Sequence, residues 1–555
     1  MQGVSFKMIT VTFNDKKTKQ YPKHVSCLEV AKDRQHLFKD DIIIAKLDQT
    51  VVELNTKLNK DCSLEFFDLR HRIGNEVYLR GLIYILIKAV KDVLGFNTEI
   101  KIEHSIDKGI YCELLTTTNN NIAFKIEQRM QEIASANIPF ERNIVTKKEA
   151  GEYFKAIKRL DKVKSLSFLT ETNIVLYKLD NLYDYFFGHM PLSTGYIRRF
   201  ALTFIEPNGL VLLFPTIYDS DNIPTYNHRL KVFEEFRQYR NWGKIIGVNN
   251  AADLNEKIIK GQAVELIKIS EVVQNSKLYE IASEINRRRD KIKIVLMAGP
   301  SSSGKTITSH KLSLYLKSKG LNPKIIGLDD YYVDRADTPK DEEGNYDFET
   351  IKSIDNVLLN DHLTRLLQRE EVSIPTYNFI TGKKEYKNRL LKLNENDILI
   401  IEGLHALNED LGINIPRDNK FKLYISPLTV LNIDHHNRIS TSFVRKLRRI
   451  VRDNRNRGYS ANETLDSWRK VRAGEEKYIF PFQEETDMIF NTAFIYELSV
   501  LKTYAEPLLY SVPEDSIHYD EARQLIRFLK NFLPIPSEEI PKDSLLREFI
   551  GGGYE

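Results

Sequence analysis

A run of eight residues near the middle of the chain has the composition and spacing needed to hold phosphate groups. Its members, in order, are Gly299, Pro300, Ser301, Ser302, Ser303, Gly304, Lys305 and Thr306, which fit the pattern G-x-x-x-x-G-K-[ST]. The two glycines allow a tight curl in which backbone N–H groups surround a triphosphate without bulky side chains. We expect Lys305 to reach the β- and γ-phosphates and the hydroxyl of Thr306 to bind Mg²⁺. The sequence therefore predicts a site for ATP and Mg²⁺.

The segments on either side of this run are those that such a loop requires. Residues 291–298 are an apolar stretch with β-branched members, short enough for a buried strand. After the loop, apolar residues lie among polar ones over the length of a helix, whose first N–H groups and positive dipole end would face the phosphates. A chance turn of glycine and serine before a helix is the alternative, and the flanking strand and helix argue against it.

Three acidic residues follow two further apolar segments. Asp329 and Asp330 come after a predicted strand at residues 324–328, and Glu402 follows a predicted strand at residues 397–401. In a parallel sheet the carboxyl ends of the strands meet at one edge, where ligands bind, so these acids are candidates for Mg²⁺ binding and proton transfer. Each alone is equally well explained as a cap or a surface acid, but together with the loop they indicate a site.

An aromatic loop and a basic run complete the set of candidates. Residues 374–379, IPTYNF, combine aromatic and polar side chains that could grip a flat substrate. Residues 443–458 contain seven basic residues and one acid, Asp453. The run has three interpretations: a lid whose arginines neutralise charge during phosphoryl transfer, a nucleic-acid patch, or a solvated helix. Its place after the fourth predicted strand favours the lid.

The composition indicates a soluble multidomain protein. The chain has 555 residues, 42% hydrophobic and 28% charged, and at about 100–200 residues per domain it should contain about three to four domains. A formal net charge of +4 is too small to imply a nucleic-acid partner. The widely spaced Cys27, Cys62 and Cys112 provide no disulfide framework and no metal spacing, which fits a reducing cytoplasm. No signal-peptide pattern and no apolar run of about 18 residues is found, so we expect a cytoplasmic protein without a membrane span.

The order of predicted elements divides the chain into five parts. Residues 1–68 read as a small α+β unit, residues 69–235 as a second unit around a long helix, and residues 236–290 as a helical connector. In residues 291–505 strands recur between helices, which predicts a parallel α/β sheet. Residues 506–555 contain one more predicted helix and a tail without visible chemistry.

The first two units resemble parts of threonyl-tRNA synthetases. Residues 1–68 are similar to the TGS domain, the ubiquitin-like module at the front of those enzymes; an unrelated small α+β domain is the alternative. Residues 69–235 combine a long predicted helix at 76–94 with the segments HSIDKGIYC from His104 and GHMPLSTGY from Gly188. This order resembles the second additional domain of the synthetases, which is their editing domain.

The editing domain of those enzymes holds a metal with an H-x-x-x-H pair and a C-x-x-x-H pair. The matching positions here are Arg80, Tyr84, Phe186 and Met190, none of which is a good zinc ligand. We therefore predict an editing fold without metal chemistry. Its partner could be RNA, the C-terminal part of the chain or a small molecule.

Residues 291–505 resemble the uridine kinase and phosphoribulokinase branch of the P-loop kinases. The matching stretches are GPSSSGKT from Gly299, GLDDYY from Gly327, YDF from Tyr346, IPTYNF from Ile374, IEG from Ile401 and RRIVRD from Arg448. The resemblance implies that Asp329 is the general base, that Lys305 assists catalysis, and that Thr306, Asp329 and Glu402 hold Mg²⁺. It also implies substrate contacts from Asp347, Tyr377, Asn378, Arg449 and Arg452, of which the two arginines are also catalytic, and an ATP contact from Arg457.

Three departures from the family pattern bear on the substrate. Pyrimidine kinases have an aspartate where this chain has Asn378 and a base-reading histidine where it has Gly382, and a further lid arginine is replaced by Tyr459. These changes leave phosphoryl transfer intact and leave the choice of base open.

The sequence thus predicts a multidomain protein in which α+β N-terminal domains precede a P-loop α/β kinase with a parallel sheet. The expected activity is ATP-dependent phosphoryl transfer to the 5′-hydroxyl of a nucleoside. Two alternatives stay open: a kinase of another small hydroxyl acceptor such as a sugar phosphate, and an RNA-binding regulator switched by ATP. Asp329 and Glu402 argue against the regulator, because a pure switch needs no acceptor base. RNA contact through residues 1–235 and oligomerisation are left open.

Overall fold

The computed structural model describes residues 7–341 and 344–554, and its first unit is a twisted sheet with a helix on one face. The elements are β1 (Met8–Phe13), β2 (Thr18–Pro22), α1 (Cys27–Arg34), β3 (Ile44–Leu47), β4 (Thr50–Val52) and β5 (Cys62–Phe67). The strand order is β2-β1-β5-β3-β4, with β1 and β5 parallel. α1 begins after Ser26 because the Ser26 hydroxyl accepts from the N–H of Glu29 and the Glu29 carboxylate accepts from the N–H of Ser26. The predicted α+β architecture is present.

The second unit is built around a long buried helix. Its elements are α2 (Arg72–Leu94), β6 (Ile100–Ile106), β7 (Gly109–Leu114), α3 (Asn120–Ser135), β8 (Glu141–Thr146), α4 (Lys147–Ala156), α5 (Leu160–Ser167), β9 (Asn173–Leu179), β10 (Leu182–Asp184), β11 (Ala201–Ile205) and β12 (Gly209–Leu213). Apolar residues of α2 share a core with the sheet β11-β12-β7-β6 and with the smaller sheet β10-β9-β8. α2 starts earlier than predicted because the His71 ring accepts from the N–H of Ile73.

The C-terminal half contains a fully parallel α/β sheet. Its elements are α6 (Leu230–Ile245), α7 (Ala251–Ile259), α8 (Ala263–Arg287), β13 (Ile294–Ala298), α9 (Lys305–Lys317), β14 (Asn322–Gly327), α10 (Asn356–Leu367), β15 (Val372–Ser373), β16 (Thr376–Asn378), β17 (Lys383–Glu385), β18 (Leu390–Leu391), β19 (Asp397–Glu402), β20 (Lys420–Ser426), α11 (Thr441–Arg457), α12 (Ala461–Tyr478), β21 (Met488–Asn491) and α13 (Glu497–Tyr510). The strand order is β14-β19-β13-β20-β21. Every residue of the central β13 is buried, as expected of a strand covered on both faces. The predicted parallel sheet is confirmed.

The helices before the sheet and the segment after it share its hydrophobic core. Two short elements, α14 (Tyr519–Leu529) and α15 (Arg547–Ile550), follow the sheet. One continuous buried cluster contains Ile281 of α8, Leu423 of β20, Phe528 of α14 and Phe549 of α15. The tail, for which the sequence indicated no chemistry, is therefore an internal part of the C-terminal half.

A loop of the C-terminal half, residues 427–440 between β20 and α11, docks into the second unit. The N–H of Ile102 on β6 donates to the carbonyl oxygen of His435 at 2.8 Å. Beside this contact, Lys162 lies 2.9 Å from Asp184 and 3.1 Å from Asp434, and all three side chains are buried. Because buried charges are costly unless fully paired, this cluster favours one arrangement of the two halves.

Two expectations from composition can be compared with the structure. Cys27, Cys62 and Cys112 carry free thiols. Across residues 7–341 and 344–554, no helix has the combined length and apolar character that crossing a bilayer requires.

Candidate active site

The loop of residues 299–306 lies at the carboxyl end of β13 and leads directly into α9. Ser302 and Gly304 take left-handed conformations, with φ of 59° and 89°. Gly299 is needed for close approach, since a Cβ there would lie 2.1 Å from the carbonyl oxygen of Ile425. The Lys305 ammonium donates to the carbonyl oxygen of Gly299 at 3.0 Å, so the loop curls around this side chain. The local geometry is that of a phosphate-binding loop.

Two buried arginines of α11 contact the loop and fix its position. Arg445 pairs with Glu475, and both contact Ser301: Glu475 accepts from its N–H at 2.9 Å, and Arg445 Nε donates to its carbonyl oxygen at 3.0 Å. Arg448 donates to the carbonyl oxygen of Thr492 at 2.8 Å. Each arginine is 1% exposed. This part of the basic run is therefore not a solvated face: it braces the loop and the segment after β21.

The three arginines predicted to form the lid meet at one carboxylate. Their distances to the buried Asp453 are 3.1 Å for Arg449, 2.9 Å for Arg452 and 3.5 Å for Arg457. Arg449 also donates to the Ser301 hydroxyl at 2.7 Å, which places its guanidinium beside the loop. Asp453 thus gathers positive charge next to the site where phosphates would lie.

The two adjacent acids after β14 have different surroundings. They lie in a 3₁₀ turn, Leu328–Tyr331. Asp329 is exposed in the cleft, and the protein mass around it raises the pKa of its carboxyl against the opposing field of Lys305. Asp330 instead accepts from the guanidinium of Arg389 at 2.6 Å. Asp329 thus lies within electrostatic range of Lys305 of the loop, whereas Asp330 is engaged in an ion pair.

Glu402 ends β19 beside the loop, where it can help to hold a cation. The Thr306 hydroxyl donates to Glu402 Oε1 at 3.1 Å. Burial raises the pKa of Glu402 to about 7, opposed by Lys305 and reinforced by Asp329. Two carboxylates and a hydroxyl are the hard oxygen donors that Mg²⁺ takes, and a cation would relieve the repulsion between the carboxylates. Thr306, Asp329 and Glu402 therefore fit the Mg²⁺ site that the sequence predicted.

Glu349, which the sequence analysis did not single out, also faces this edge. It is half-buried within electrostatic range of Arg449, and burial together with Glu475 raises its pKa to about 7. Helix α12 passes close to it, since a Cβ on Gly474 would lie 2.5 Å from the Glu349 Cβ. Asp347, one of the expected substrate contacts, accepts from the N–H of Glu349 at 3.0 Å and shapes the turn. The available signal in the sequence was a second acid two residues after Asp347.

Aromatic side chains line the cleft near Asp329. The ring centroid of Tyr332 lies 5.5 Å from that of Tyr377 and 5.8 Å from that of Phe348. The Tyr377 hydroxyl is buried, and within the described ranges it has no hydrogen-bond partner. Asn378 closes the hairpin of β16 and β17, because its side chain accepts from the N–H two residues further on at 3.0 Å. Tyr377 thus belongs to an aromatic wall, and Asn378 belongs to the turn that presents it.

Gly382 lies in the turn of the same hairpin, against the side chain of Arg335. Arg335 is a second residue that the sequence did not indicate. Gly382 has a φ of 68°, and a Cβ there would lie 2.8 Å from the Arg335 side chain. The Arg335 guanidinium donates to the carbonyl oxygen of Phe379 at 2.6 Å. Arg335 therefore takes the room that a larger side chain at position 382 would need.

The four positions that match metal ligands in the editing-like unit form a packed cluster. Tyr84, Phe186 and Met190 are buried, and the ring centroids of Tyr84 and Phe186 are 4.9 Å apart. Arg80 Nε donates to the carbonyl oxygen of His189 at 2.8 Å. Each of these side chains is engaged in packing or in a backbone contact.

The two halves of the chain are similar to different families of known proteins. Residues 294–497 match the model of the Phosphoribulokinase / Uridine kinase family. The N-terminal region is similar to threonine–tRNA ligases: that of Hahella chejuensis is 27% identical over 256 residues, which are 43% of this chain and 40% of the ligase. That of Syntrophotalea carbinolica is 27% identical over 252 residues, 43% of this chain and 39% of the ligase. The chain thus spans about two fifths of the length of these relatives.

Solved structures of kinases also align with part of the chain. A putative fructose transport system kinase from a Silicibacter species has 15% identity and a TM-score of 0.28, and the alignment covers 38% of this chain and 98% of that one. A possible uridine kinase from Bacillus stearothermophilus has 18% identity and a TM-score of 0.26, with 39% and 100% covered. The family match and the parallel sheet make the C-terminal region similar to P-loop kinases, and the N-terminal region is similar to threonine–tRNA ligases.

Proposed function

We propose that the C-terminal half transfers the γ-phosphoryl group of ATP to the 5′-hydroxyl of a nucleoside, giving a nucleoside monophosphate. The observation that carries the proposal is the grouping of Lys305, Thr306, Asp329 and Glu402 at one carboxyl edge of a parallel sheet. A nucleotide-dependent switch would need the loop but not an acid that faces it from the acceptor side. The match to a kinase family supports the same class of reaction.

The phosphates of ATP are proposed to lie on the loop of residues 299–306. Its backbone N–H groups and Lys305 would bind the phosphate oxygens. Arg449, already beside the loop, and Arg452, which shares its partner Asp453, would stabilise the charge that develops on the transferred group. Mg²⁺ held by Thr306, Asp329 and Glu402 would supply further neutralisation of the phosphates.

Asp329 is proposed to act on the acceptor hydroxyl. As the hydroxyl oxygen bonds to the γ-phosphorus and the bond to the bridging oxygen breaks, the hydroxyl proton passes to Asp329 and ADP leaves. The raised pKa of this carboxyl makes it a stronger base than an ordinary aspartate. Glu349 is proposed to contact the sugar of the acceptor and Tyr377 its base.

A panel of acceptors tests the proposal. Nucleosides and sugar phosphates are incubated with Mg²⁺ and ATP, and phosphorylated product is measured for each. We expect nucleosides to be turned over, with weak preference for pyrimidines, because Gly382 provides no side chain to read the base. One lost contact changes selectivity by about tenfold to a hundredfold. Turnover of sugar phosphates alone would refute the nucleoside assignment, and strong preference for uridine over inosine would refute the role given to Gly382.

A binding assay addresses the N-terminal region and the regulatory alternative. Filter binding of tRNA is measured over a salt titration, because phosphate contacts produce a steep dependence on salt. If none of the small acceptors is turned over while tRNA binds in an ATP-dependent way, the kinase proposal fails and a regulatory protein replaces it.

A further inference from the structure

The C-terminal tail lies beyond residues 294–497, which match the kinase family, and it forms a fixed wall beside the phosphate-binding loop. Phe549 and Ile550 of α15 are buried in the main core. Arg547 donates to the carbonyl oxygens of Ser537 and Gly551, each at 2.9 Å, so the tail is also fastened to itself. These contacts fix the residues of α15 next to the loop.

Glu548 of this tail directs a carboxylate oxygen at the junction of the loop and α9. A Cβ placed on Gly304 would lie 4.0 Å from Glu548 Oε2 and 4.0 Å from Thr308 Oγ1. Thr308 is fully buried, and the Oε2 atom is buried as well. In the described part of the chain neither atom has a hydrogen-bond partner. Buried polar atoms are nearly always paired, so two such atoms at one point indicate a partner that arrives with the ligand.

The strand order indicates which part of a nucleotide would reach this point. Asp329 and Glu402 lie at the carboxyl ends of β14 and β19, which lie on one side of the central β13. On the other side, Thr492 follows β21, and its Cγ2 would lie 3.9 Å from a Cβ on Gly304. If the triphosphate lies on the loop after β13 and the acceptor lies beside Asp329, the nucleoside half of ATP must extend toward β20 and β21. Glu548 reaches the same point as Thr492, and it also lies within electrostatic range of Glu402.

We propose that Glu548 is a nucleotide-binding residue that accepts a hydrogen bond from the nucleoside half of the phosphoryl donor. An ionised carboxylate has no proton to donate, so it can pair only with a donor. Phosphate oxygens have none to offer, whereas a nucleoside carries ribose hydroxyls and an exocyclic amine. This inference rests on the proposed function, since it takes the loop to hold a nucleoside triphosphate.

The first test compares ATP with tripolyphosphate, which has no nucleoside. Dissociation constants for both are measured by calorimetry for the wild-type protein, Glu548→Ala and Glu539→Ala, a control at an exposed site on the same tail. We expect Glu548→Ala to weaken ATP binding by about tenfold and to leave tripolyphosphate binding within about twofold. Parallel changes for both ligands, or tighter binding of both, would show that the carboxylate acts on the phosphates and would overturn the proposal.

The second test uses the wild-type protein and identifies the donor. ATP is compared with 2′-deoxy-ATP, 3′-deoxy-ATP and inosine triphosphate, in which the exocyclic amine is replaced by oxygen. We expect one analogue to bind about tenfold more weakly than ATP in the wild type and equally well in Glu548→Ala. Equal binding of all four to the wild type overturns the proposal even if the variant fails to fold. Absence of ATP and tripolyphosphate binding to the wild type would instead overturn the proposed function.

Discussion

In the editing-like unit, Tyr84 and Phe186 stand at positions where the resemblance places metal ligands, and they pack ring against ring in a hydrophobic core. At the edge of the C-terminal sheet, Asp329 and Glu402 keep carboxylates whose pKa values are raised by desolvation. The first set of positions, called the filled site below, holds side chains that stabilise the fold. The second site keeps charged side chains that contribute little to the stability of the fold.

The difference has an energetic meaning. Like charges in a partly desolvated cleft lower stability, whereas buried rings in contact raise it. An arrangement of charges that lowers stability is typical of a functional site. We therefore infer that chemistry resides at the sheet edge and that positions 80, 84, 186 and 190 contribute to folding.

The largest effect is expected at the sheet edge. Asp329→Asn keeps the shape of the side chain but removes the base, so turnover should fall by about 10²–10⁴-fold. ATP affinity should stay within about threefold because the loop of residues 299–306 is unchanged. The measurements are turnover, ATP binding and melting temperature.

Asp330→Asn is the matched control for that change. Because Asp330 pairs with Arg389, its loss should reduce turnover by no more than about tenfold. An inactive Asp330→Asn beside an active Asp329→Asn would reverse the assignment of the two acids. Normal turnover by both would refute the mechanism.

The second prediction concerns the filled site. Phe186 is 4% exposed, so Phe186→Ala should lower the free energy of unfolding by about 3–5 kcal/mol through the cavity that it leaves. Phosphoryl transfer at temperatures where the variant is folded should be unchanged within about twofold, since the side chain belongs to the core of the second unit. Chemical denaturation and initial rates provide the two readings. The exposed Phe124 serves as the control, and equal destabilisation by Phe124→Ala would remove the distinction between filled and functional sites.

The third prediction concerns Glu349, whose pKa is raised to about 7. Glu349→Gln should raise the KM of the acceptor by about tenfold to a hundredfold, because a charged hydrogen-bond acceptor is lost. The KM of ATP should change little. A variant with a normal acceptor KM would separate Glu349 from the substrate site.

The same residue should affect stability with a defined dependence on pH. A carboxyl whose pKa is raised on folding binds its proton more tightly in the native state, so its contribution is most favourable below about pH 4.5 and is lost as pH rises to about 7. Glu349→Gln should therefore be more stable than the wild type by about 2–3 kcal/mol at pH 8 and equal to it at pH 4. Denaturant midpoints at the two pH values measure this difference. A gain at pH 4 that matches the gain at pH 8 would contradict the cause assigned to it.

The smallest expected signal is at the metal-ligand positions of the editing-like unit. With Arg80, Tyr84, Phe186 and Met190 in place of histidine and cysteine, the purified protein should hold no stoichiometric zinc and should not deacylate mischarged tRNA. Elemental analysis and a deacylation assay are the measurements. About one zinc per chain would show that the two regions are not as different as the packing indicates.

The sequence by itself was sufficient for features that depend on neighbouring residues. Gly299 to Thr306 specify their loop locally, because two glycines, a lysine and a hydroxyl at fixed spacing define both the curl and its chemistry. The apolar run of β13 and the acids at the ends of β14 and β19 predicted the sheet and one edge of the site, since side-chain patterns along a strand reflect its burial. At positions 80, 84, 186 and 190 the residue types predicted only that zinc would not be held.

Only the tertiary structure decided how distant residues share that site. The packing of α11 against the sheet divides the basic run into two groups. Arg445 and Arg448 pair with buried glutamates next to the loop, and Arg449, Arg452 and Arg457 surround Asp453. Glu349 and Glu548 reach the site from a turn and from a tail that sequence patterns do not distinguish from surface segments. Their role follows from burial and from the strand order, and a linear pattern contains neither, because long-range contacts are set by the packing of the whole core.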